Sequence, residues 1–315
     1  MLHTFPASAD KSPRKDCKWI DLVDPTPEEI ETIRERFGVD VPTKSVISKI
    51  ERSSRLAAHG DRLEMNAPLI SGVDTDRWEM APVGFVLTPD VLLTVRFNDL
   101  ESFKAVHAAL EKEGDGDAAA IFTQLLEAIV DRTADHLEHA SARINETTQA
   151  VFFDEPKGRR LNHDTAKLRE VMRRIGQVSD RTSRVRYTFL SIGRIADFAI
   201  ERCTPKLAED VRERLEALRR DIESLDEFET SLSDRIQLLQ DAATGFLSIE
   251  QNDVVKILTV ASVVGVPPVL VVGIYGMNFH DMPELSWKFG YPYALILCLL
   301  SMLLPLLWFK WRDWI

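Results

Sequence analysis

At 315 residues the chain is long enough for two domains, and its 39 lysines and arginines against 50 aspartates and glutamates leave a net charge of −11. That balance argues against nucleic acid as the main partner and suits a protein that gathers cations. Three cysteines, Cys17, Cys203 and Cys298, are too few and too far apart for a disulfide framework or a zinc knuckle, which fits a reducing compartment.

Met1 to Lys18 carries prolines, lysines and aspartates and no apolar stretch of signal-peptide length, so the amino-terminal body is expected to stay in the cytoplasm. Trp19-Ile20-Asp21-Leu22-Val23 reads as a short strand. Thr26 before Pro27, Glu28 and Glu29 reads as a helix start that Gly38 ends. Arg62 to Ile70 and Val83 to Phe97 read as strands, with turn signals at His59-Gly60-Asp61 and Thr88-Pro89-Asp90. A small α/β domain is therefore predicted over residues 1–99.

From Leu100 strand signals disappear and apolar residues recur every three or four positions, with breaks near Gly114 to Gly116, Glu155 to Gly158 and Cys203 to Pro205. A helical hairpin region is predicted over 100–204 and a stalk helix over 205–253. Few breakers interrupt the last helix before Pro267, so it runs on toward the membrane; at 1.5 Å per residue, about 60 to 70 residues make a rod of roughly 100 Å. Lys157 to Arg194 is basic and Glu201 to Asp253 acidic, either as solvated faces paired with neighbours or as electrostatic control of an ion path. Glu127, Asp131, Asp135 and Glu138 share one helix face. The stripe reads as soluble surface, with a cation that relieves the repulsion as the alternative. His136 and His139 beside it also read as surface, since the spacing is one residue short of an inverted zinc-protease pattern. No glycine-rich phosphate loop, nucleophile elbow or dinucleotide fingerprint occurs in the body, so an enzyme is not expected.

Ile257 to Phe279 has no ionisable group except Tyr275, and Phe289 to Phe309 is a second uncharged run closed by Lys310 and Arg312. Each matches one bilayer crossing. The predicted segments are a first membrane helix over 254–278, an extracytoplasmic loop over 279–290, a second membrane helix over 291–310 and a cytoplasmic tail over 311–315. Lys256, Lys310 and Arg312 at the body-side ends and a net acidic loop place both termini in the cytoplasm. The fold class is thus an α+β cytoplasmic domain, long stalk helices and two carboxyl-terminal transmembrane helices.

In the first membrane helix Val255, Leu258, Thr259, Ser262, Val266, Val269, Gly273 and Gly276 recur at three- and four-residue steps, giving a face of small or moderately apolar residues with two hydroxyls. Ordinary helix packing accounts for that periodicity as well. Pro267-Pro268, however, frees backbone carbonyls that neighbours or water must satisfy. Two crossings cannot enclose an aqueous path, so a transport function requires several copies around an axis.

Tyr275-Gly276-Met277-Asn278-Phe279 at the end of this helix, then Met282-Pro283-Glu284-Leu285, Trp287, Gly290-Tyr291-Pro292, Phe309-Lys310 and Trp314, in that order, resemble the CorA family of divalent-cation transporters. The resemblance is strongest over about the last 75 residues, and Ile249-Glu250-Gln251-Asn252 and Trp19 to Val23 extend it. It implies a homopentameric funnel in the inner membrane, in contact with membrane lipids, that admits hydrated Mg2+, with Co2+ and Ni2+ as further ions. Intracellular Mg2+ would close it, so Mg2+ is both transported and regulatory. Gly276, Met277 and Asn278 would form the selectivity filter and hold the ion through its water shell. Asn252 would ring the inner mouth, with Leu258 and Val266 as the apolar gate and Thr259, Ser262, Val269 and Gly273 along the same lining. Glu284, Asp281 and His280 would lie at the outer mouth, where relatives often carry Glu in place of His280. Asp221 resembles a regulatory stalk carboxylate, with Asp131 and Asp135 as candidate partners. A proton-coupled zinc transporter of the same superfamily and a membrane-tethered cation sensor are the alternatives.

Overall fold

The computed structural model describes residues 1–6, 17–48, 55–71, 78–113, 116–152, 161–203, 207–278, 282–312 and 314. These divide into two compact units, Met1–Asp154 with Val171–Gln240, and Glu155–Glu170 with Asp241–Ile315.

The first unit is built on a six-stranded sheet of β1 (Leu2–Phe5), β2 (Trp19–Val23), β3 (Leu56–His59), β4 (Arg62–Ser71), β5 (Glu79–Leu87) and β6 (Leu92–Arg96), in the order β1-β2-β6-β5-β4-β3. All pairs are antiparallel except β2 with β6, which run parallel with Ile20 opposite Leu93 and Leu22 opposite Val95. The crossover between these two central strands passes through three others and both short helices, α1 (Pro27–Phe37) and α2 (Lys44–Ile47). β6 is buried along its whole length, as a strand covered on both faces must be.

Alternation along the central strands sends Ile20, Leu22, Leu93 and Val95 to one face, where they pack with Ile33 of α1, Val39 and Val41. Trp19, Thr94 and Phe85 point to the other. There they meet α3 (Glu101–Glu113) and α4 (Ala118–Phe152): Trp19 lies 6.2 Å from the Phe103 ring, and Phe85 meets Phe122 edge-on at 6.1 Å. α1 forms where its start signals fall. Thr26 accepts from the Glu29 backbone N–H while the Glu29 carboxylate accepts from that of Thr26, and Gly38 ends the helix at φ 61°.

A charged pair, Asp21 and Arg96, sits inside this core. Asp21, fully buried on β2, accepts from Thr94 at 2.7 Å and from the Arg96 Nε and Nη2 at 3.1 and 2.9 Å. Burial opposes its charge, yet His107, Arg96 and Thr94 together hold the carboxyl below the ordinary range. The His107 ring stacks on Trp19 at 3.9 Å, and the Trp19 Nε1–H donates to Thr94 at 3.0 Å.

Beyond the sheet the chain is helical: α5 spans Leu161–Cys203, α6 Glu209–Tyr275 and α7 Gly290–Trp311, with a 3-10 turn at Pro283–Ser286 before α7. Within the first unit, Arg186 of α5 reaches Asp226 and the buried Glu229 of α6, both at 3.3 Å. α6 is continuous through Pro267 and Pro268.

Candidate ion path and cytoplasmic carboxylate groove

The 67 residues of α6 end at Tyr275, directly before the Gly276-Met277-Asn278 segment that the sequence marks as chemistry. At 100° per residue, Asn252, Val255, Leu258, Thr259, Ser262, Val266, Val269, Gly273 and Gly276 fall within an arc of about 120°. Leu258, Val266 and Val269 are 64%, 57% and 71% exposed in the single chain. Asn252, Gly273, Met277 and Asn278 are exposed as well. None of the most apolar window of α6 is buried. A contiguous apolar surface of this length is stable only against lipid or other protein.

The two hydroxyls on that face are oriented by their own helix. Thr259 Oγ1 donates to the Val255 carbonyl and Ser262 Oγ to the Leu258 carbonyl, both at 2.8 Å. With the proton committed to the backbone, each oxygen presents lone pairs outward, the polarity that the outward-pointing hydrogens of a hydrated cation require. Pro267 and Pro268 bring no N–H to the ladder, and the Cys298 thiol of α7 lies 3.9 Å from the Pro268 carbonyl, a contact between the two spans.

At the outer end the helix closes with Gly276 N–H on the Val272 carbonyl at 2.9 Å and Met277 N–H on the Ile274 carbonyl at 3.2 Å. A side chain at position 276 would put its Cβ 3.0 Å from the Val272 oxygen. The negative end of the helix dipole thus lies just before Asn278 in the chain, with no side chain at position 276. After this comes the 3-10 turn, in which Ser286 Oγ donates to the Pro283 carbonyl at 2.7 Å and Glu284 is half-buried. Any Cβ at Gly290 would collide with the Glu284 carbonyl, so glycine is needed where the turn meets α7. His280 and Asp281, expected at the outer mouth, lie outside the described residues.

In the first unit, α4 and α6 form a groove of about 550 Å³ lined by Glu127, Asp131, Arg214, Asp221 and Ser224. The structure thus brings Asp131 and Asp221, 90 positions apart in the chain, to one place. Burial, and then the charges of Glu127, Asp135 and Asp221, push the Asp131 carboxyl above its ordinary range. Glu127 is answered by Arg214, which donates to both carboxylate oxygens at 3.0 and 2.6 Å. Sequence reasoning missed Arg214, because no local spacing links it to a residue 87 positions away. Asp135 turns instead to Arg132 at 3.4 Å on the exposed face. Among the described residues no three His, Cys, Asp or Glu side chains stand close enough to hold a metal within one chain.

His136 corrects an expectation. It is 2% exposed rather than a surface residue, packed 4.9 Å from the Trp78 ring. Burial, followed by Arg132, pushes its pKa down to about 4. Its place was legible: Ile129, Thr133, His136 and Ala140 follow the three- and four-residue steps of the buried face of α4.

These features define a class: an integral membrane protein with an α+β body and two carboxyl-terminal spans, the first of which carries two hydroxyls on one unburied face. The chain belongs to the CorA-like Mg2+ transporter family, whose model matches residues 14–311; it is a transporter and not an enzyme. It is 30% identical over 308 residues to the magnesium transport protein CorA of Escherichia coli (strain K12), covering 97% of this chain and 94% of that one. The CorA of Salmonella typhimurium (strain LT2) is 30% identical over 302 residues, covering 95% and 92%. The complete structure of the CorA magnesium transporter of Methanocaldococcus jannaschii shares the fold with a TM-score of 0.76 at 18% identity, over 97% of this chain and 94% of that one.

Proposed function

We propose that the chain forms a homopentamer in the inner membrane, with both termini cytoplasmic, through which hydrated Mg2+ enters passively. The observation that carries this reading is the lining face of α6. It is unburied in the single chain, holds its hydroxyl protons on its own backbone, and ends at Gly276, Met277 and Asn278. In this arrangement residues 254–278 line the pore, 291–310 form an outer helix, and 205–253 connect the pore to the body.

Mg2+ sheds water reluctantly. A ring of Asn278 amides with the Gly276 backbone would accept hydrogen bonds from its water shell without stripping it, and Glu284 would raise the local cation concentration. Leu258 and Val266 would close the path by dewetting, with Asn252 at the inner mouth and Thr259, Ser262, Val269 and Gly273 along the lining. A divalent ion crossing 100 mV gains about 4 to 5 kcal/mol, ample drive without coupling. Co2+ and Ni2+ fit the same shell-mediated recognition.

Closure follows linkage: Mg2+ bound near Asp221 and Asp131 would cancel repulsion between carboxylates and favour the state in which they lie close, with Asp135 at the edge of the same field. Asp221→Asn is expected to shift inhibition of flux by internal Mg2+ to higher concentration, and an unchanged inhibition curve removes Asp221 from gating.

The deciding experiment is uptake into proteoliposomes holding the purified full chain, with Mg2+ and Zn2+ compared with and without a pH gradient. Mg2+ uptake that follows voltage, ignores the pH gradient and falls to background in Asn278→Ala is the expected result. Zn2+ uptake that requires a proton gradient would overturn it.

A further inference from the structure

The end of α7 opposite the outer loop carries an arrangement that ion conduction does not use. Trp308, Trp311 and Trp314 are 50%, 81% and 44% exposed around it. Phe309, by contrast, is buried, because the chain turns back on itself: the Trp314 backbone N–H reaches the Phe309 carbonyl at 3.0 Å, and the Trp314 ring stacks on Phe309 at 5.5 Å. The same turn sets the Arg312 backbone N–H on the Trp308 and Phe309 carbonyls, with the Arg312 guanidinium 6.0 Å from the Trp308 ring. Lys310 and Arg312 are exposed, and neither forms an ion pair among the described residues. Lys256, in contrast, pairs with Asp253 at 3.5 Å.

Distance along the helix sets the depth of this cluster. The outer end of α7 has its own exposed aromatic group, Trp287, Phe289 and Tyr291. From Tyr291 to Trp311 the rise is about 30 Å, the hydrocarbon thickness of a bilayer. Aromatic residues gather at both interfaces of a span, so Lys310 and Arg312 stand at the level of the phospholipid phosphates. Compensation of the helix dipole accounts for a basic residue in the last turn. It does not account for a guanidinium laid against one tryptophan and flanked by two more.

Resting on the reading of the chain as a two-span protein with cytoplasmic termini, we propose that this end of α7 binds anionic phospholipid headgroups. Arg312 and Lys310 donate to the phosphate, while the indoles of Trp308 and Trp311 lie at the acyl boundary beneath it. A guanidinium offers a phosphate two parallel N–H donors, and partial desolvation against the indole strengthens them. Charge complementarity selects the occupant, since zwitterionic headgroups carry no net charge to answer two cations that have no ion pair among the described residues.

The test uses the full-length oligomer in vesicles of brominated phosphatidylcholine or brominated phosphatidylglycerol mixed with their plain counterparts. Quenching of tryptophan fluorescence gives the relative association of the two lipids. Wild type is expected to favour the anionic lipid by roughly fivefold for each basic residue at the surface. Lys310→Gln with Arg312→Gln should bring the ratio near one, and Lys310→Arg with Arg312→Lys should retain it. Equal quenching by both lipids in the wild type, or a preference that the double glutamine variant keeps, overturns the proposal. Mg2+ flux recorded in the same vesicles separates the two readings: flux without a lipid preference defeats this inference alone, and a lipid preference without flux defeats the transport reading alone.

Discussion

The sheet unit and the membrane helices solve the burial problem in opposite ways. Trp19, Leu22, Val83, Phe85 and Leu92 are all 0% exposed within one chain, so the sheet and its helices form a finished core. In the spans, α6 buries none of its most apolar window and α7 keeps 6% of its own. The first region is a protein interior in the ordinary sense, and the second is half of an interior whose other half is lipid and further copies of the chain. The same distinction separates their polar groups. Asp21 has its charge answered inside the chain by Arg96, whereas Thr259 and Ser262 donate to their own helix and leave their acceptors facing outward. Mutations in the sheet core should therefore be read as stability, and mutations in the second region as transport.

The contrast is broken most severely by Asp21→Ala, which removes the buried partner of the Arg96 guanidinium and leaves it only the Asn98 carbonyl at 2.8 Å and the exposed Asp99 at 3.5 Å among its described partners; a loss of about 3 to 5 kcal/mol is expected. It would appear as a large fall in the melting temperature of the detergent-solubilised chain. Asn278→Ala, with a comparable loss of flux, should not move that temperature. His136 provides a pH test. Its folded pKa of about 4 lies below the ordinary 6.5, so the unfolded chain binds the proton more readily between those values. Stability contributed by the neutral ring is complete above about pH 6.5 and declines as pH falls toward 4, by up to about 3 kcal/mol. His136→Leu should flatten the melting curve over that window, and an unchanged pH profile would show that His136 is not responsible. The smallest effect is expected at Arg214→Ala. Its pair with Glu127 is roughly a third exposed on each side, and about 1 kcal/mol is its expected contribution. Because the substitution also removes the one cation that lines the groove of Asp131 and Asp221 among the described residues, Mg2+ inhibition of flux should tighten while stability changes little.

Much of the local architecture could be read from residue order. Thr26-Pro27 and Gly38 bound α1 where the cap signals stand, and Thr88-Pro89-Asp90 separates β5 from β6 as a turn. β1, β3 and α2 were not legible. Each is only four residues long, too short for a period to register, and the two strands exist through pairing with β2 and β4.

The sequence by itself determined the two apolar runs, the long helices between breakers, and the Gly276-Met277-Asn278 terminus with its family, because hydrophobic length, periodicity and motif are local properties of the chain. Only the tertiary structure decided that Asp131 meets Asp221, that Arg214 neutralises Glu127, that His136 is buried against Trp78, and that Trp314 folds onto Phe309 beside Arg312. Most of these contacts join residues tens of positions apart or depend on which helix face turns inward. Packing settles such questions by matching surfaces, a property of the assembled elements that no single segment carries.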